Sequence, residues 1–573
     1  MRNLRVKKRR RAKMKVQPIA ITSLLFFVQL IMLFEVYTRL DKYQGVFNIS
    51  WHLISIILAL FIINKEENSA YKIAWILPMC VFPLVGIILY VLIKVLPGTK
   101  QLSDVLKTKI CMSSQYIHQN EDVLKTFKEV DSNYASMAKF LYEYESFPVY
   151  ADTKLEYYSL GEYAFESIKK ELLKARDYIF IEFFIVSRGY MLTEVLDILE
   201  KKANEGVEIR FMYDGANMFS LPDNYSEFIS SKGIDCKIFS PVKPIISSYQ
   251  NNRDHRKIIV IDGKIGFTGG INIADEYINK KERFGHWKDC AIRIEGHAVK
   301  SLAAMFLQMW NINEDDKYEM EDYNTYLLTK KQKKLKITHK KLVNMNELLH
   351  EKKIEKLKKK LKNNPKQKVK IRENLLTFKC KNCVIQPTRL YDNYTIPYGD
   401  YPGNMNNTAE AIYIHILFYA KKYVDIMTPY LIIDDELINA MSMACKRGVR
   451  VRLLLPGIPD KKIPYMVAQS YFTALMDAGV QIYIYTKGFV HSKVFVSDDI
   501  VSTVGTVNLD YRSLYLHFEN GIFCYDRELA LDIEDDFENT VKTAKRLTNQ
   551  EYRNIPVFNR LLGRIFRVFA PLM

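Results

Sequence analysis

Histidine, lysine, aspartate and asparagine recur in this sequence at one fixed spacing, twice. Lys follows His by two positions, Asp by seven, Gly by fourteen and Asn by seventeen. The two sets are His255, Lys257, Asp262, Gly269 and Asn272, and His491, Lys493, Asp498, Gly505 and Asn508. A chain with 10 histidines should give on the order of 0.06 chance matches to the His–Lys–Asp spacing. Two matches that also share the Asn therefore indicate a common chemical role.

These residue types suit phosphate chemistry. Residues two apart on a strand point to the same face, so the spacing predicts a sheet that presents an imidazole beside an ammonium. If the two copies meet about a pseudo-twofold axis, their Lys and Asn side chains can donate to phosphate oxygens. Two imidazoles that face each other across a phosphorus can divide the work, one attacking and the other protonating the leaving oxygen. The alternative, polar residues satisfied within a core, would require the same coincidence twice.

A nucleophilic imidazole also needs an acceptor that holds its second nitrogen. Asp289 lies 34 residues after His255 and Glu519 lies 28 residues after His491, in matching predicted strands. Both acids are candidates for this supporting role. A structural ion pair is the alternative for each of them.

The elements that must position these residues are duplicated. Segments that start at three positions in the first half match segments in the second half, in the pairs Ala175 and Ala420, Gly206 and Gly448, and Gly233 and Gly479. Each half alternates short β-branched or aromatic runs with amphipathic stretches such as Met191–Asn204 and Asp435–Arg447. Such alternation predicts α/β layers with a largely parallel or mixed sheet, in two fused copies of one α/β unit. The expected fold class is therefore α/β, with two pseudo-symmetric α/β/α sandwich halves that form one catalytic body.

Three apolar stretches precede this body, at Pro18–Phe34, Phe47–Ile63 and Ile73–Ile93. A spanning helix needs about 20 residues, so we expect two to three transmembrane helices within residues 16–97, the last of them kinked at Pro78 and Pro83. No small-x-small cleavage site follows the first stretch, which favours a retained anchor over a signal peptide. The side of the membrane that carries the body stays open.

The net charge of +18 first suggests a polyanionic partner, either nucleic acid or an anionic membrane. Residues 1–15 hold nine basic residues and no acid, and residues 330–372 carry a net charge of +15. The two segments together carry +24, so the rest of the chain is mildly acidic, with a net charge of −6. A nuclease would be expected to have basic clusters near its pocket, whereas the basic clusters of this chain lie in residues 1–15 and 330–372, away from the motifs. The predicted partner is therefore an anionic lipid surface, and no nucleic acid is expected.

Two further segments have a basic amphipathic pattern. The Lys-rich stretch carries apolar residues at helical spacing up to Asn363, and it could be a solvated insertion or a surface for anionic headgroups. Near the C-terminus, Arg560, Arg564 and Arg567 fall on one helical face, opposite an apolar one. That helix could lie in a bilayer interface or pack against the body.

The cysteines do not indicate a metal site. Cys380 and Cys383 form one C-x-x-C with no second pair and no His pair beside it, so the four ligands of a structural zinc site are lacking. We expect no metal and no cofactor.

The paired motifs resemble the phospholipase D superfamily, and further segments resemble bacterial cardiolipin synthases. These segments are Asn272–Tyr277, Thr428–Tyr430, Arg447–Pro456, Gly505–Ser513 and the apolar run Ala74–Tyr90. The resemblance implies two phospholipase D-like halves, a bacterial plasma-membrane location with several membrane passes, and no metal. It implies phosphatidyl transfer between two phosphatidylglycerol molecules through a covalent phosphohistidine, giving cardiolipin and glycerol.

The resemblance also implies residue roles. His255 is expected to be the nucleophile and His491 the acid and then the base, although the swapped assignment stays open. The expected phosphoryl-binding residues are Lys257, Lys493, Asn272 and Asn508. Asp262 and Asp498 are expected to brace the motifs rather than to touch substrate.

The predicted domains are a basic tail (1–15), a transmembrane region (16–97), a linker (98–150), the first half (151–312), a Lys-rich insertion (313–383), the second half (384–545) and a basic amphipathic tail (546–573). Within enzymes, the alternatives are a phospholipid hydrolase or another phosphatidyltransferase. From another class, an inactive membrane-bound anion-binding adaptor predicts loss of a motif His or Lys, and all four are present.

Overall fold

The structure, a computed structural model, describes residues 44–91, 99–241, 252–314, 316–328 and 391–572. Several predicted features lie outside these ranges, namely the basic tail 1–15, the apolar stretch Pro18–Phe34, the Lys-rich stretch 330–372 and the Cys380–Cys383 pair.

Helices lead into the body. Their bounds are Gln44–Ile63, Ser69–Val81, Pro83–Tyr90, Thr99–Ser114, Glu121–Val130 and Ser132–Glu145. The second begins where the side chain of Asn68 accepts a hydrogen bond from the backbone N–H of Ala70, as an N-cap residue does.

The first half contains strands β1 to β9 and several helices. The strands are β1 Tyr150–Ala151, β2 Lys154–Tyr158, β3 Tyr178–Phe183, β4 Glu208–Asp214, β5 Asp235–Phe239, β6 Lys257–Ile261, β7 Ile265–Gly269, β8 His286–Lys288 and β9 Ala291–Glu295. The α-helices are Gly161–Lys174, Tyr190–Asn204, Tyr225–Ser230, Val299–Trp310 and Asp316–Tyr326, and the 3₁₀ helices are Gly215–Phe219 and Asp275–Ile278.

The second half repeats this arrangement. Its strands are β10 Tyr394–Asp400, β11 Tyr423–Met427, β12 Leu431–Ile432, β13 Arg450–Pro456, β14 Gln481–Tyr485, β15 Gly488–Val490, β16 Val494–Ser497, β17 Val501–Gly505, β18 Leu509–Asp510, β19 Glu519–Tyr525 and β20 Ala544–Arg546. Its helices are Thr408–Tyr419, Asp435–Lys446, Lys462–Asp477, Tyr511–Tyr515, Arg527–Val541, Asn549–Arg553 and Val557–Phe569, with a 3₁₀ helix at Ala570–Leu572.

The two large sheets share one strand order. The first sheet runs β2-β9-β7-β6-β3-β4-β5, and the second runs β1-β10-β19-β17-β16-β11-β13-β14-β20. In each sheet the three strands joined by helical crossovers are parallel, and the others pair antiparallel. The second sheet is thus the first one with an additional strand at each edge. The predicted duplication into two α/β halves with mixed sheets is confirmed.

The helix Val299–Trp310 joins the halves into one core. Every residue of it except Lys300 is buried, which is the pattern of a helix enclosed on all sides. It packs against β3 and β6 of the first sheet and against β10 of the second. The sheets therefore share a core that holds the two motifs in a fixed relation.

The predicted membrane region differs from expectation. The stretch expected to be one kinked helix is two short ones, because the chain leaves helical geometry at Phe82 before Pro83. The two helices pack closely where Gly86 meets Met79, since a Cβ at Gly86 would lie 2.6 Å from the Met79 backbone. Among the described residues, none of the helices has both the length and the apolar character that crossing a membrane requires, so the predicted spanning helices are not supported.

The C-terminal helix Val557–Phe569 packs on the body. Gly563 permits the contact, because a Cβ there would lie 2.3 Å from the Met466 carbonyl oxygen. Arg567 stacks over the ring of Tyr471 at 4.0 Å. Apolar side chains of the helix remain exposed, namely Val557, Phe558, Leu561 and Ile565. The helix thus packs against the body and still presents an apolar surface.

Candidate active site

The two motif histidines lie just before strands, not on them. His255 comes two residues before β6 begins, and His491 follows the last residue of β15. Their backbone N–H groups donate across the junction between the halves, from His255 to the Phe518 carbonyl at 2.9 Å and from His491 to the Lys288 carbonyl at 2.7 Å. Each motif is therefore held by a strand segment of the opposite half.

A carboxylate of the second half orients His255. The Nδ1–H of His255 faces both oxygens of Glu519, at 2.9 Å each. The hydroxyl of Thr506 donates to the second of these oxygens. All three side chains are buried. With Nδ1 occupied as a donor, the Nε2 lone pair of His255 is the one available for attack.

A carboxylate of the first half orients His491 in the same way. Its Nδ1 lies 2.6 Å from the Oδ2 of Asp289, which is fully buried. Gly270 makes room for this acid, since a Cβ at Gly270 would lie 1.9 Å from the Oδ1 of Asp289. The two predicted acceptors are thus brought to the site, and each serves the histidine of the other half.

The motif lysines lie beside these histidines. The Nζ of Lys257 donates to the His255 carbonyl at 2.5 Å. The Nζ of Lys493 donates to the His491 carbonyl and lies 2.8 Å from Nδ1 of that ring. Both lysines are buried, so the site holds two cationic groups in a region of low water content.

Burial makes both histidines weak bases. It lowers the pKa of His255 to about 3, with Lys257 acting in the same direction and Glu519 opposing. It lowers the pKa of His491 to about 4, helped by Lys493 and also by Lys257 of the other motif. The two cross-half contacts, His255 with Glu519 and His491 with Asp289, place both motifs in one site. Both imidazoles are therefore neutral near pH 7.

The same burial acts on the lysines and the acids. It lowers the pKa of Lys257 to about 7 and that of Lys493 to about 8. For Glu519 and Asp289 burial alone would raise the pKa, but the histidines that they face reverse this and hold both values below the ordinary range. The carboxylates stay ionised and favour the Nδ1–H tautomer of each histidine. At His491 the contact of Nδ1 with Asp289, at 2.6 Å, is shorter than its contact with the Nζ of Lys493, at 2.8 Å, so the carboxylate is taken as the partner of that hydrogen.

The two predicted asparagines differ. Asn272 accepts from the Ile185 N–H at 2.9 Å and donates to the Tyr277 hydroxyl at 2.8 Å. The Oδ1 of Asn508 has no hydrogen-bond partner among the described residues. Asn272 therefore has one amide hydrogen left for a ligand, whereas Asn508 is less engaged by the protein.

The motif aspartates brace the ends of strands. The carboxylate of Asp262 accepts from the backbone N–H groups of residues 176–178, which lead into β3. That of Asp498 accepts from residues 421–423, which lead into β11. Both aspartates have positive φ, 52° and 57°, in the left-handed region that Asp tolerates better than most residues.

Sequence reasoning did not find His517, a third imidazole at the site. Its ring centroid lies 5.5 Å from that of His255, and its Nδ1 lies 3.7 Å from the Oε1 of Glu519. The spacing in the sequence could have indicated this position. His517 precedes Glu519 by two positions, and in extended backbone residues two apart turn their side chains to the same face.

Two clusters in the described part of the chain have the composition of a cation site. One is His255, His517 and Glu519, and the other is Glu410, Asp434 and Glu436; in each, one possible ligand atom per residue lies within 4.8 Å of the others. In the first cluster Glu519 already accepts from His255, and in the second the Tyr515 hydroxyl contacts Glu410 and Asp434. These acids therefore have protein partners.

A site with two neutral imidazoles, each oriented by a carboxylate, and two buried ammonium groups can carry out nucleophilic substitution at phosphorus. That chemistry and the two fused α/β sheets define the phospholipase D class. The family described as "Cardiolipin synthase, PLD-like domain" matches residues 168–310 and 413–541, and the "Phospholipase_D-nuclease N-terminal" family matches residues 53–94.

Relatives that align over most of this chain include proteins described as cardiolipin synthases. A protein of Streptococcus mutans, described as uncharacterized, is 39% identical, covering 90% of this chain and 99% of its own. A "Cardiolipin synthase" of Halalkalibacterium halodurans is 27% identical, covering 92% and 94%. One of Geobacillus kaustophilus is 29% identical, covering 93% and 95%. This chain belongs to the cardiolipin synthase family of the phospholipase D superfamily and is a phosphatidyltransferase.

A solved structure shares the fold. The phosphatidylserine synthase of Haemophilus influenzae Rd KW20 superimposes with a TM-score of 0.51 at 15% identity, covering 76% of this chain and 97% of that one. At this identity the similarity supports the fold alone.

Proposed function

We propose that this protein is a cardiolipin synthase, which transfers a phosphatidyl group from one phosphatidylglycerol molecule to the hydroxyl of another and releases glycerol. The observation that carries the proposal is the pair of histidines, His255 and His491, each hydrogen-bonded through Nδ1 to a buried carboxylate of the other half. That pairing suits two successive displacements, in which one imidazole is nucleophile and the other moves protons.

In the first displacement, Nε2 of His255 attacks the phosphorus of phosphatidylglycerol. The bond from phosphorus to the headgroup oxygen breaks, and a proton from His491 goes to the departing glycerol. A bound phosphodiester brings a negative charge next to His491, which raises the pKa of that imidazole and allows it to enter the step protonated. The result is a phosphatidyl group bonded to His255.

In the second displacement, a hydroxyl of another phosphatidylglycerol attacks the same phosphorus. His491, now neutral, takes the hydroxyl proton, and the bond from phosphorus to His255 breaks. The number of phosphodiester bonds is unchanged over the two steps, so the reaction requires no nucleotide.

The cationic donors bind the phosphoryl oxygens. In the proposed mechanism, Lys257 and Lys493 hold the equatorial oxygens, and the amides of Asn272 and Asn508 supply further donors. Electrostatic stabilisation of this kind gains strength in a buried site. Each ammonium already donates to a backbone carbonyl of its motif, which fixes its position before substrate binds.

We also propose that the body works on an anionic phospholipid surface. The helix Gln44–Ile63 exposes a row of apolar side chains, among them Leu53, Ile57 and Phe61, and the C-terminal helix exposes Phe558 beside its arginines. Apolar surface flanked by basic residues favours contact with anionic lipid. Vesicle flotation should recover more protein with phosphatidylglycerol than with phosphatidylcholine, and equal recovery would contradict the proposal.

Lipid analysis tests the proposed activity. Purified protein incubated with phosphatidylglycerol vesicles should yield cardiolipin and free glycerol in equal amounts. Phosphatidate without cardiolipin would overturn the synthase proposal in favour of a hydrolase. The variant His255→Ala serves as the matched control and should yield neither product.

A further inference from the structure

His517 stands beside the proposed nucleophile and is used by no step of the proposed mechanism. Its ring and that of His255 both pack on Phe184, with centroid distances of 6.4 and 4.8 Å. The two imidazole centroids lie 5.5 Å apart. His517 therefore lies in the same aromatic cluster as the proposed nucleophile, with its ring next to that of His255.

The backbone fixes the direction of this imidazole. The N–H of Phe518 donates to the Arg253 carbonyl and its carbonyl accepts from the N–H of His255, so the segment is extended beside the first motif. The Phe518 side chain is turned into the core, where its ring meets Phe239 at 5.4 Å. Side chains on both sides of it, those of His517 and Glu519, therefore share the face toward the site.

Neither ring nitrogen of His517 has a hydrogen-bond partner within the described ranges, although the side chain is only 8–9% exposed. The closest carboxylate oxygen, on Glu519, is 3.7 Å from Nδ1, which is too long for a hydrogen bond. Buried polar groups in native proteins are nearly always paired, because an unpaired one loses its bonds to water without replacement. This imidazole is thus suited to a partner that is not part of the protein.

The pseudo-symmetry gives a comparison. The residue two positions before Asp289 is Trp287, whose ring packs 5.5 Å from that of His491. An indole has one donor and no acceptor nitrogen, and it does not titrate, whereas an imidazole has both functions. Of these two matched neighbours, the ring beside His255 therefore offers both a donor and an acceptor nitrogen, whereas the ring beside His491 offers an N–H donor alone.

We propose that His517 is a substrate-binding residue that hydrogen-bonds an oxygen of the phosphoglycerol headgroup. The oxygen is either an unesterified phosphoryl oxygen or a headgroup hydroxyl, and both present the same chemistry to an imidazole. The inference rests on the proposed function in so far as the substrate is a phospholipid. It does not depend on whether the acceptor is a second lipid or water.

The test compares three variants: His517→Phe, which removes both nitrogens; His517→Gln, whose amide keeps a polar group; and His415→Phe, the same change in a ring that lies elsewhere and bonds the Asn133 carbonyl. Release of headgroup alcohol is measured with phosphatidylglycerol and with a phosphatidyl donor that has an ethyl headgroup. Because alcohol release reports cleavage alone, a failure to form cardiolipin would refute the proposed acceptor and leave this test intact.

His517→Phe should lower kcat/KM for phosphatidylglycerol about 10- to 100-fold, His517→Gln should recover most of that loss, and His415→Phe should change it less than about threefold. An equal loss with the ethyl donor assigns the contact to the phosphoryl group, and a loss confined to phosphatidylglycerol assigns it to a hydroxyl. If His517→Phe does not fold, as judged by thermal melting, His517→Leu replaces it. Activity of a folded apolar variant within twofold of wild type on both donors would overturn the proposal.

Discussion

The two halves of the body repeat a strand order and differ in what they contribute to the site. The first half gives His491 a short acid, Asp289, which fits because Gly270 leaves room beside it. The second half gives His255 a longer acid, Glu519, and the residue that matches Gly270 is Thr506, whose hydroxyl donates to that acid.

The backbone symmetry therefore supplies two oriented histidines, whereas the surrounding side chains distinguish them. Glu519, which faces His255, accepts from the Thr506 hydroxyl and has the imidazole of His517 nearby, whereas Asp289, which faces His491, accepts from the Cys290 backbone N–H, and the indole of Trp287 packs beside that histidine. Two displacements with different partners suit two unequal histidines. Some substitutions should affect the two histidines alike, and others should affect one histidine more than the other.

Removal of either histidine should have the largest effect. His255→Ala and His491→Ala should each lower cardiolipin formation by about 10³-fold or more, because one loses the nucleophile and the other the proton carrier. The measurement is the initial rate with phosphatidylglycerol vesicles, with His415→Ala as a control distant from the site. Normal turnover in either single variant would contradict the two-histidine mechanism.

Replacement of the acids should come next. Glu519→Gln and Asp289→Asn keep size but remove the negative charge that favours the Nδ1–H tautomer and introduce an NH₂ donor, so kcat should fall about 10²- to 10⁴-fold. Thermal melts should show that both variants are folded. If the halves are unequal, the two losses will differ, and the rate of headgroup release alone will identify the acid that serves the nucleophile. A loss below about threefold in both would refute the orienting role.

The pH dependence should follow the lysines more than the histidines. Lysine is charged below its pKa, so with the pKa of Lys257 near 7 and that of Lys493 near 8, kcat/KM should fall as the pH rises through 7–8. If both ammonium groups are required, the fall should approach tenfold per pH unit between pH 7 and 8 and be steeper above pH 8, where the second lysine also loses its proton. His255 is neutral well below pH 6.5, so no acid limb is expected above about pH 5, and the proton that His491 must carry in the first displacement can only steepen the fall at higher pH. A profile that rises from pH 5 to 7 and is flat to pH 10 would contradict these assignments.

The smallest expected effect isolates the difference between the halves. Thr506→Val removes the hydroxyl that donates to Glu519 and should lower kcat about 5- to 10-fold, whereas Thr506→Ser should retain the bond and the rate. At the matched position Gly270→Ala places a Cβ against Asp289 and should impair the His491 side. Equal and negligible effects of all three changes would mean that the inequality of the halves has no catalytic consequence.

Motif spacing and strand–helix alternation are local signals, and from them the sequence predicted the two α/β halves, which the fold confirms, and the residues that we propose for the site. It did not predict that Glu519 serves His255 and Asp289 serves His491, since that exchange arises only when the strands of the two halves meet. The position of the histidines before the strands was missed for the same reason.

Other features depended on tertiary contacts. The break at Phe82 lies next to the predicted kink at Pro83, but the close approach of Gly86 to the Met79 backbone depends on the packing of the two helices. His517 lies two residues before a predicted acid, but its significance became visible only when the structure placed its ring beside His255.

The covalent intermediate tests the central claim most directly. Protein mixed with phosphatidylglycerol that carries a labelled phosphate is quenched in base, which preserves phosphohistidine, and the labelled peptide is sequenced. We expect label on His255 in the wild type and in His491→Ala, and none in His255→Ala. Label on His491 alone would reverse the assignment of the two roles. Rapid formation of cardiolipin without label on either histidine would contradict the account.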